Sequence, residues 1–375
     1  MSSPAAPAGT SAAASSAPAV SSPAAPASTQ ETSPAAPPST AAAVSLAGFK
    51  PASVTFVSAT QGFVLGAQTC ATGTCTTLAS TVDGGSTWTF AAAVPAAITG
   101  SSPAVSKVRF ATKNDGWAFG PQLWSTHDGG RTWTHETTPG PVSDVEASGG
   151  VAYALEASCG TEPCVQGDHL LTTPVSSDAW TAISGPKLAD GPGSLAPHGN
   201  TVWVVVNGGG TSTFDTVVGG SSWHRLPNPC AAAGADLALV GVAPVSTAQL
   251  FELCAGDPGA GSETKVVLFS SDGGAQATAT SAAPARGGIA SGIAAASAAV
   301  VAVPAASGAS YVYRSADGGH TWGTPLSQGD GGVGYFDVGF TTATQGVAVY
   351  GNPAQGNSSL LMTRDGGATW KPVTF

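Results

Sequence analysis

The sequence predicts an all-β chain: a seven-bladed β-propeller of four-stranded antiparallel blades behind a disordered N-terminal arm. Three observations predict it. A short turn motif, with Gly-Gly in six of its copies, recurs seven times, its copies lie about one blade apart, and the first 43 residues are almost all Ala, Pro, Ser and Thr. The clearest copies run Thr81-Val82-Asp83-Gly84-Gly85-Ser86-Thr87-Trp88, Thr126 to Trp133, Ser315 to Trp322 and Thr363 to Trp370. Weaker copies run Thr216 to Trp223, without the Asp, Ser270 to Ala277, where Ala stands in the Trp position, and Thr173 to Trp180, which keeps only its ends. Marked at the Trp position, successive copies are 45, 47, 43, 54, 45 and 48 residues apart. A period of roughly 40–50 residues is that of four-stranded propeller blades.

The motif has the chemistry of a hairpin turn. A short Asp side chain accepts backbone N–H bonds within its own turn, paired glycines allow positive φ, and the hydroxyl residues add local side-chain bonds. The Trp then opens the next strand and offers a large apolar plate for packing between sheets. Asp83, Asp128, Asp272, Asp317 and Asp365 are therefore expected to be structural, as are Trp88, Trp133, Trp322 and Trp370. A chemistry repeated around a ring is the wrong pattern for a single active site.

Each blade reads as four strands in order. In the second, Lys107 to Thr112 alternates as an inner strand, Asn114-Asp115-Gly116 turns the chain, and Trp117 to Gly120 forms the second strand. Leu123 to Thr126 forms the third, and Thr132 to Glu136 the outer one. Blade 1 repeats the order with Val54 to Val57, Phe63 to Gly66, Leu78 to Thr81 and Trp88 to Phe90. Blade 7 does so with Val338 to Thr341, Val347 to Gly351, Leu360 to Thr363 and Trp370 to Val373. Val44 to Phe49 offers the last blade an added outer strand that would close the ring.

Residues 1–43 carry one charge, Glu31, and too little apolar surface to offset their ordering entropy, so they are expected to be an unfolded tether. Residues 44–375 suffice for one closed ring. Charged residues make up 9% of the chain and the net charge is −10, which argues against a nucleic-acid partner. No run of 18 apolar residues occurs, so no transmembrane segment is expected. The six cysteines fall into local pairs, Cys70 with Cys75, Cys159 with Cys164, and Cys230 with Cys254. Even count and local pairing favour disulfides and an oxidising compartment over zinc, since no nearby His completes a tetrahedral set. The chain is therefore expected outside the cell or at its envelope, with the arm as a tether and any signal or lipidated Cys lying upstream.

The pattern Ser/Thr-x-Asp-Gly-Gly-x-Thr-Trp, after an inner strand and a Gly-Trp or Gly-Phe second strand, resembles the Asp-box propellers, also called bacterial neuraminidase repeats. The order V-x-F, G-W-A-F-G, S-T-H-D-G-G-R-T-W is more similar to the photosystem II assembly factor-like subgroup than to true sialidases. The resemblance covers essentially everything after residue 45. It implies that the motif turns share one face and that ligands meet the opposite one. On that face would lie the hairpin loops Gln68 to Thr76, Ala157 to Asp168 and Ala255 to Glu263, the first two closed and stiffened by disulfides.

Aligning Phe56, Phe110 and Phe340 places Ser53, Lys107, Asp144 and Asp337 at equivalent points near the channel mouth. A basic residue among carboxylates there is either a polar-ligand site or a hydrated plug. With these, Glu162, Asp168, Asp257 and Glu263 from the loops complete the candidate binding residues. Sialidase activity is disfavoured, because the arginine triad and Tyr-Glu pair that the resemblance would require are not evident. Another glycosidase needs only two carboxylates across a groove, for which Asp330 is a further candidate. The histidines show no metal-ligand spacing, and neither a metal nor a cofactor is expected. The reading favours an exported, monomeric, non-catalytic scaffold recognising a protein or glycan partner at the cell envelope, with a glycoside hydrolase as the alternative. The assembly-factor role that the resemblance also implies is not carried over, since the large basic patch expected for such a partner is absent.

Overall fold

The computed structural model describes residues 45–71, 73–98, 104–156, 169–189, 191–208, 211–234 and 236–375. The arm expected over residues 1–43 lies outside them. Seven four-stranded antiparallel sheets follow one another along the chain. Blade 1 comprises Lys50–Phe56, Gly62–Cys70, Gly73–Thr81 and Thr89–Ala93, and blade 2 Lys107–Phe110, Gly116–Phe119, Leu123–Thr126 and Thr134–Glu136. The inner strands of blades 3, 4 and 5 are Val142–Ser148, Gly193–His198 and Leu237–Pro244. Blade 6 departs from the plan: its inner strand is split into Ile289–Ala290 and Ala294–Ala295, both paired with the long ribbon Val301–Ser315. Blade 7 is built from Tyr335–Phe340, Gly346–Tyr350, Ser359–Thr363 and Lys371–Pro372. Among the described residues no helix is long and apolar enough to cross a membrane.

The motif turns form as their chemistry requires. In blade 1 Asp83 accepts the Thr87 N–H at 2.9 Å and its hydroxyl at 2.6 Å, while the Thr81 hydroxyl donates to Asp83 at 2.8 Å and accepts the Gly85 N–H at 2.9 Å. The set recurs at Asp128, Asp317 and Asp365, and in shortened form at Asp272. Because Asp128 engages the Thr132 N–H, that group is lost to the strand ladder. The outer strand of blade 2 therefore begins at Thr134, not at Thr132 as the sequence suggests. In six blades the first turn glycine donates to the carbonyl of the turn joining the first two strands, as Gly84 does to Thr60 at 2.8 Å and Gly366 to Thr344 at 2.9 Å. Both turns of a blade thus lie on one face.

Seven apolar clusters fill the seams between blades. Trp88 packs with Val54 and Val64 of blade 1 and Leu360 and Met362 of blade 7; Trp133 packs with Phe110 of blade 2 and Phe63 and Leu78 of blade 1. Trp322 and Trp370 occupy the corresponding places in blades 6 and 7. Among the described residues the ring closes without an exchanged strand. Val44 lies outside the described residues, and Leu46 to Phe49 form a turn, with the Phe49 N–H donating to the Leu46 carbonyl at 3.0 Å. Gly48, at φ 76°, breaks the extended run that would have made a strand. Leu46 and Phe49 instead plug the seam of blades 7 and 1, the Phe49 ring 4.7 Å from that of Phe375.

Two of the expected disulfides are present, Cys70–Cys75 with a Cα separation of 6.0 Å and Cys230–Cys254 with 5.6 Å. Cys159 and Cys164 lie outside the described residues.

Candidate functional site

The inner strands run toward the motif-turn face, so their first residues stand at the opposite one. They line a central cavity of about 550 Å³. Its wall is divided. Blades 2, 3 and 7 contribute Lys107, Arg109, Asp144, Glu146 and Asp337, whereas blades 4 to 6 contribute Leu195, Ala196, Val240, Val242, Ile293 and Ala294.

The charged half is a relay between neighbouring blades. Asp337 accepts from the Ser53 hydroxyl and, at 3.0 Å, from the Val54 N–H of blade 1. Ser53 accepts the Val108 N–H of blade 2 at 3.0 Å, and Asp144 accepts the Leu195 N–H of blade 4 at 2.9 Å. Arg109 spans the set, donating to Asp337 at 3.2 Å and to Glu146 at 2.7 Å. Lys107 is more loosely held, 4.0 Å from Asp144 with its side chain 41% exposed. Asp337 adopts φ 47° at an irregularity of the strand register, a conformation that Asp tolerates better than most residues.

These contacts set the ionisation of the group. Burial raises the Asp337 pKa, but the charge and hydrogen bonds of Arg109 with the Ser53 hydroxyl hold it below the ordinary value. Burial prevails at Glu146, whose pKa is pushed up to about 7 despite Arg109, with Asp144 adding repulsion. Burial works against the Arg109 cation, and Asp337, Glu146 and Asp144 outweigh it.

At the mouth a second hollow of about 520 Å³ shares Lys107, Phe336 and Asp337 with the channel and adds Ala52, Val333 and Pro353. Phe336 is 48% exposed. A half-exposed aromatic ring beside a lysine and a small apolar shelf is suited to grip an amphipathic segment.

The structure brings together Lys107, Asp144 and Asp337 from the sequence-derived candidates. Asp257 is exposed and lines a separate hollow with Leu237 and Thr264. Glu263 is buried between blades 5 and 6, accepting the Ala290 N–H, 4.0 Å from Lys265. The Lys265 ammonium itself donates to the carbonyls of Ala285, Arg286, Gly287 and Gly288. Asp330 is engaged by Ser310, Tyr350 and the Gly332 N–H. Glu162 and Asp168 lie outside the described residues. Arg109, Glu146 and Phe336 were missed by the sequence argument. The signal for two of them was strand alternation, which puts Arg109 on the face of Lys107 and Glu146 on that of Asp144.

No family model matches the chain, and no curated protein matches it. Among solved structures it is similar to one described as "YCF48 bound to D1 peptide", at 20% identity and a TM-score of 0.57, covering 85% of this chain and 94% of that one. It is also similar to "YCF48 from Cyanidioschyzon merolae", at 19% identity and a TM-score of 0.48, covering 71% and 83%. The first likeness establishes a shared propeller fold.

Proposed function

We propose that the chain is an exported, non-catalytic propeller of the Asp-box type that binds a protein partner on the face opposite the motif turns. The observation that carries this reading is the channel mouth, where half-exposed Phe336 stands beside Lys107 and above the Arg109 relay. An exposed aromatic with an apolar shelf favours protein over glycan, and an exposed apolar patch is the usual mark of an interaction surface. The described structure related at the level of fold is of a protein bound to a peptide, which is in keeping with a peptide segment here. The disulfides support an oxidising, extracytoplasmic location, with residues 1–43 as a tether.

A glycoside hydrolase is the second reading, because the Glu146 carboxyl pushed up to about 7 and the Asp337 carboxylate held low share one cavity. Against it, Arg109 bonds both groups, leaving neither free to act on a glycosidic oxygen.

The test uses the full chain with a photo-crosslinker beside the mouth, applied to cell-envelope extract, together with Phe336→Ser and Lys107→Glu. Binding at the mouth predicts one protein product that both substitutions reduce at least tenfold. Unchanged crosslinking in both variants removes the mouth from the interface. Turnover of aryl glycosides that Glu146→Gln abolishes would establish the hydrolase instead.

A further inference from the structure

The seam between blades 4 and 5 differs from the others in three ways. Ala277 stands where the other copies of the motif carry Trp, and packs there with Trp203, Phe214, Leu239 and Leu268. The Cys230–Cys254 disulfide lies in the same cluster, tying the connection between blades 4 and 5 to the second strand of blade 5. The third difference is Glu252.

In blades 1, 2 and 7, the second-strand residue two beyond the partner of the motif's first hydroxyl residue is Val64, Ala118 and Ala348. Each packs into the seam with the preceding blade. Blade 5 has Glu252 at this place, because Leu250 pairs with Ser270. Strand alternation puts it on the face of Leu250 and Cys254, which meet Trp203, Val205 and Phe214 of blade 4. Glu252 is 0% exposed, and neither carboxyl oxygen has a hydrogen-bond partner among the described residues. A carboxylate left in such a site is far more costly than the neutral acid.

We propose that Glu252 makes the seam between blades 4 and 5 a proton-dependent latch, closed by the uncharged acid and loosened when the carboxyl ionises. Burial, with Asp272 adding repulsion, pushes its pKa from 4.5 up to about 8. Asp272, at the motif turn of blade 5, is the charged neighbour. From blade 4, His198 and His224 share the strand faces of Ala196 and Leu226 toward this seam. Asp215 is turned toward blade 3, paired with Arg225, and Lys265 toward blade 6, on the carbonyls of residues 285–288. An opened seam exposes the carboxyl and returns it to its ordinary value. Between about pH 4.5 and about pH 8 the closed form binds the extra proton, so opening becomes about tenfold more favourable per pH unit and levels off above about pH 8.

Hydrogen exchange read by mass spectrometry on the full chain, corrected for intrinsic exchange from pH 5.5 to 9, tests the latch. The peptides to follow cover Thr201–Val218 and Leu250–Gly256, with Gly62–Cys70 of blade 1 as the internal reference. The wild type should open the seam peptides about tenfold more per pH unit, flattening near pH 8. Glu252→Gln and Glu252→Val, the latter copying Val64, should remove that slope while the reference stays unchanged. Should the amide fail to fold, the Val variant alone carries the comparison. A slope retained in the folded variants, or none in the wild type, overturns the proposal.

Discussion

The Arg109 guanidinium meets the Asp337 carboxylate at 3.2 Å, joining blade 2 to blade 7 across blade 1, between residues 228 positions apart in the chain. The same side chain donates to Glu146 of blade 3 at 2.7 Å, so one cation links three blades on the channel wall. Its side chain is 20% exposed, so solvent replaces little of what a truncation would remove. Arg109→Met should destabilise the ring by about 3 kcal/mol, because the partly buried carboxyls of Asp337 and Glu146 lose their counter-charge. Denaturant unfolding at pH 7 measures this. Arg109→Met combined with Asp337→Asn and Glu146→Gln should recover part of the loss, and equal stability of Arg109→Met and wild type would refute the bridging role.

The motif carboxylates should give the fold an acid limit. The Thr87 hydroxyl and N–H hold the Asp83 pKa down at about 2, and those of Thr369 do the same at Asp365. A carboxylate depressed on folding contributes stability that is complete above its unfolded pKa of 3.8 and is lost as pH falls through the folded value of about 2. Asp83→Asn and Asp365→Asn should therefore be less stable than wild type at pH 5, with the gap closing by pH 2. Thermal unfolding across that range decides it, and a gap independent of pH would show that shape rather than charge matters in the turn.

The repeated parts of the structure were legible in the sequence, and the parts that join unlike blades were less so. The Asp-Gly-Gly turn is local chemistry, so Asp83 to Trp88 announces its own hydrogen bonds. Cys70 and Cys75 are close enough along the chain to suggest their pairing. Aligning the inner strands brought Ser53, Asp144 and Asp337 together because each accepts a backbone N–H from the next blade. Arg109 was passed over since its partners come from blades 3 and 7, and Asp337 sits at a register shift that no alternation rule anticipates. Glu263, read as part of an exposed loop, is covered because residues 286–290 fold over it. Leu46 to Phe49 had strand-like composition, and Gly48 decided otherwise.

The second glycine of the turn is required by space as well as by φ. A Cβ at Gly319, at φ 90°, would lie 2.6 Å from Thr280 Cγ2 and 2.7 Å from Thr280 Cβ in blade 5, and the Thr280 Cβ is fixed to the backbone whatever the rotamer. At Gly219, φ 59°, nothing lies within 4 Å. Gly219→Ala should cost about 1–2 kcal/mol, the penalty of a left-handed L-residue. Gly319→Ala should add the strain of an overpacked seam and cost about 3 kcal/mol in all. Paired denaturation curves compare them, and equal losses would mean that blade 5 yields to the extra methyl group.

His127 is the titrating link between blades 2 and 3. Its Nδ1 lies 2.8 Å from Asp115 and its Nε2 lies 3.1 Å from Asp178, so both ring nitrogens face carboxylates. Burial lowers its pKa, and the hydrogen bonds and charges of Asp115 and Asp178 outweigh that and raise it above 6.5. A His raised on folding contributes stability that is complete below its unfolded value and lost as pH climbs through the folded one. The ring is 36% exposed, so solvent screening keeps the effect small. Asp178→Asn should bring the His127 pKa back toward its ordinary value, as followed by NMR titration of the ring protons. The same variant should remove the His127 share of the fall in stability that the wild type shows from neutral toward alkaline pH, leaving the Glu252 share in place. A His127 titration unmoved by Asp178→Asn would assign the shift to Asp115 alone and remove the link between the blades.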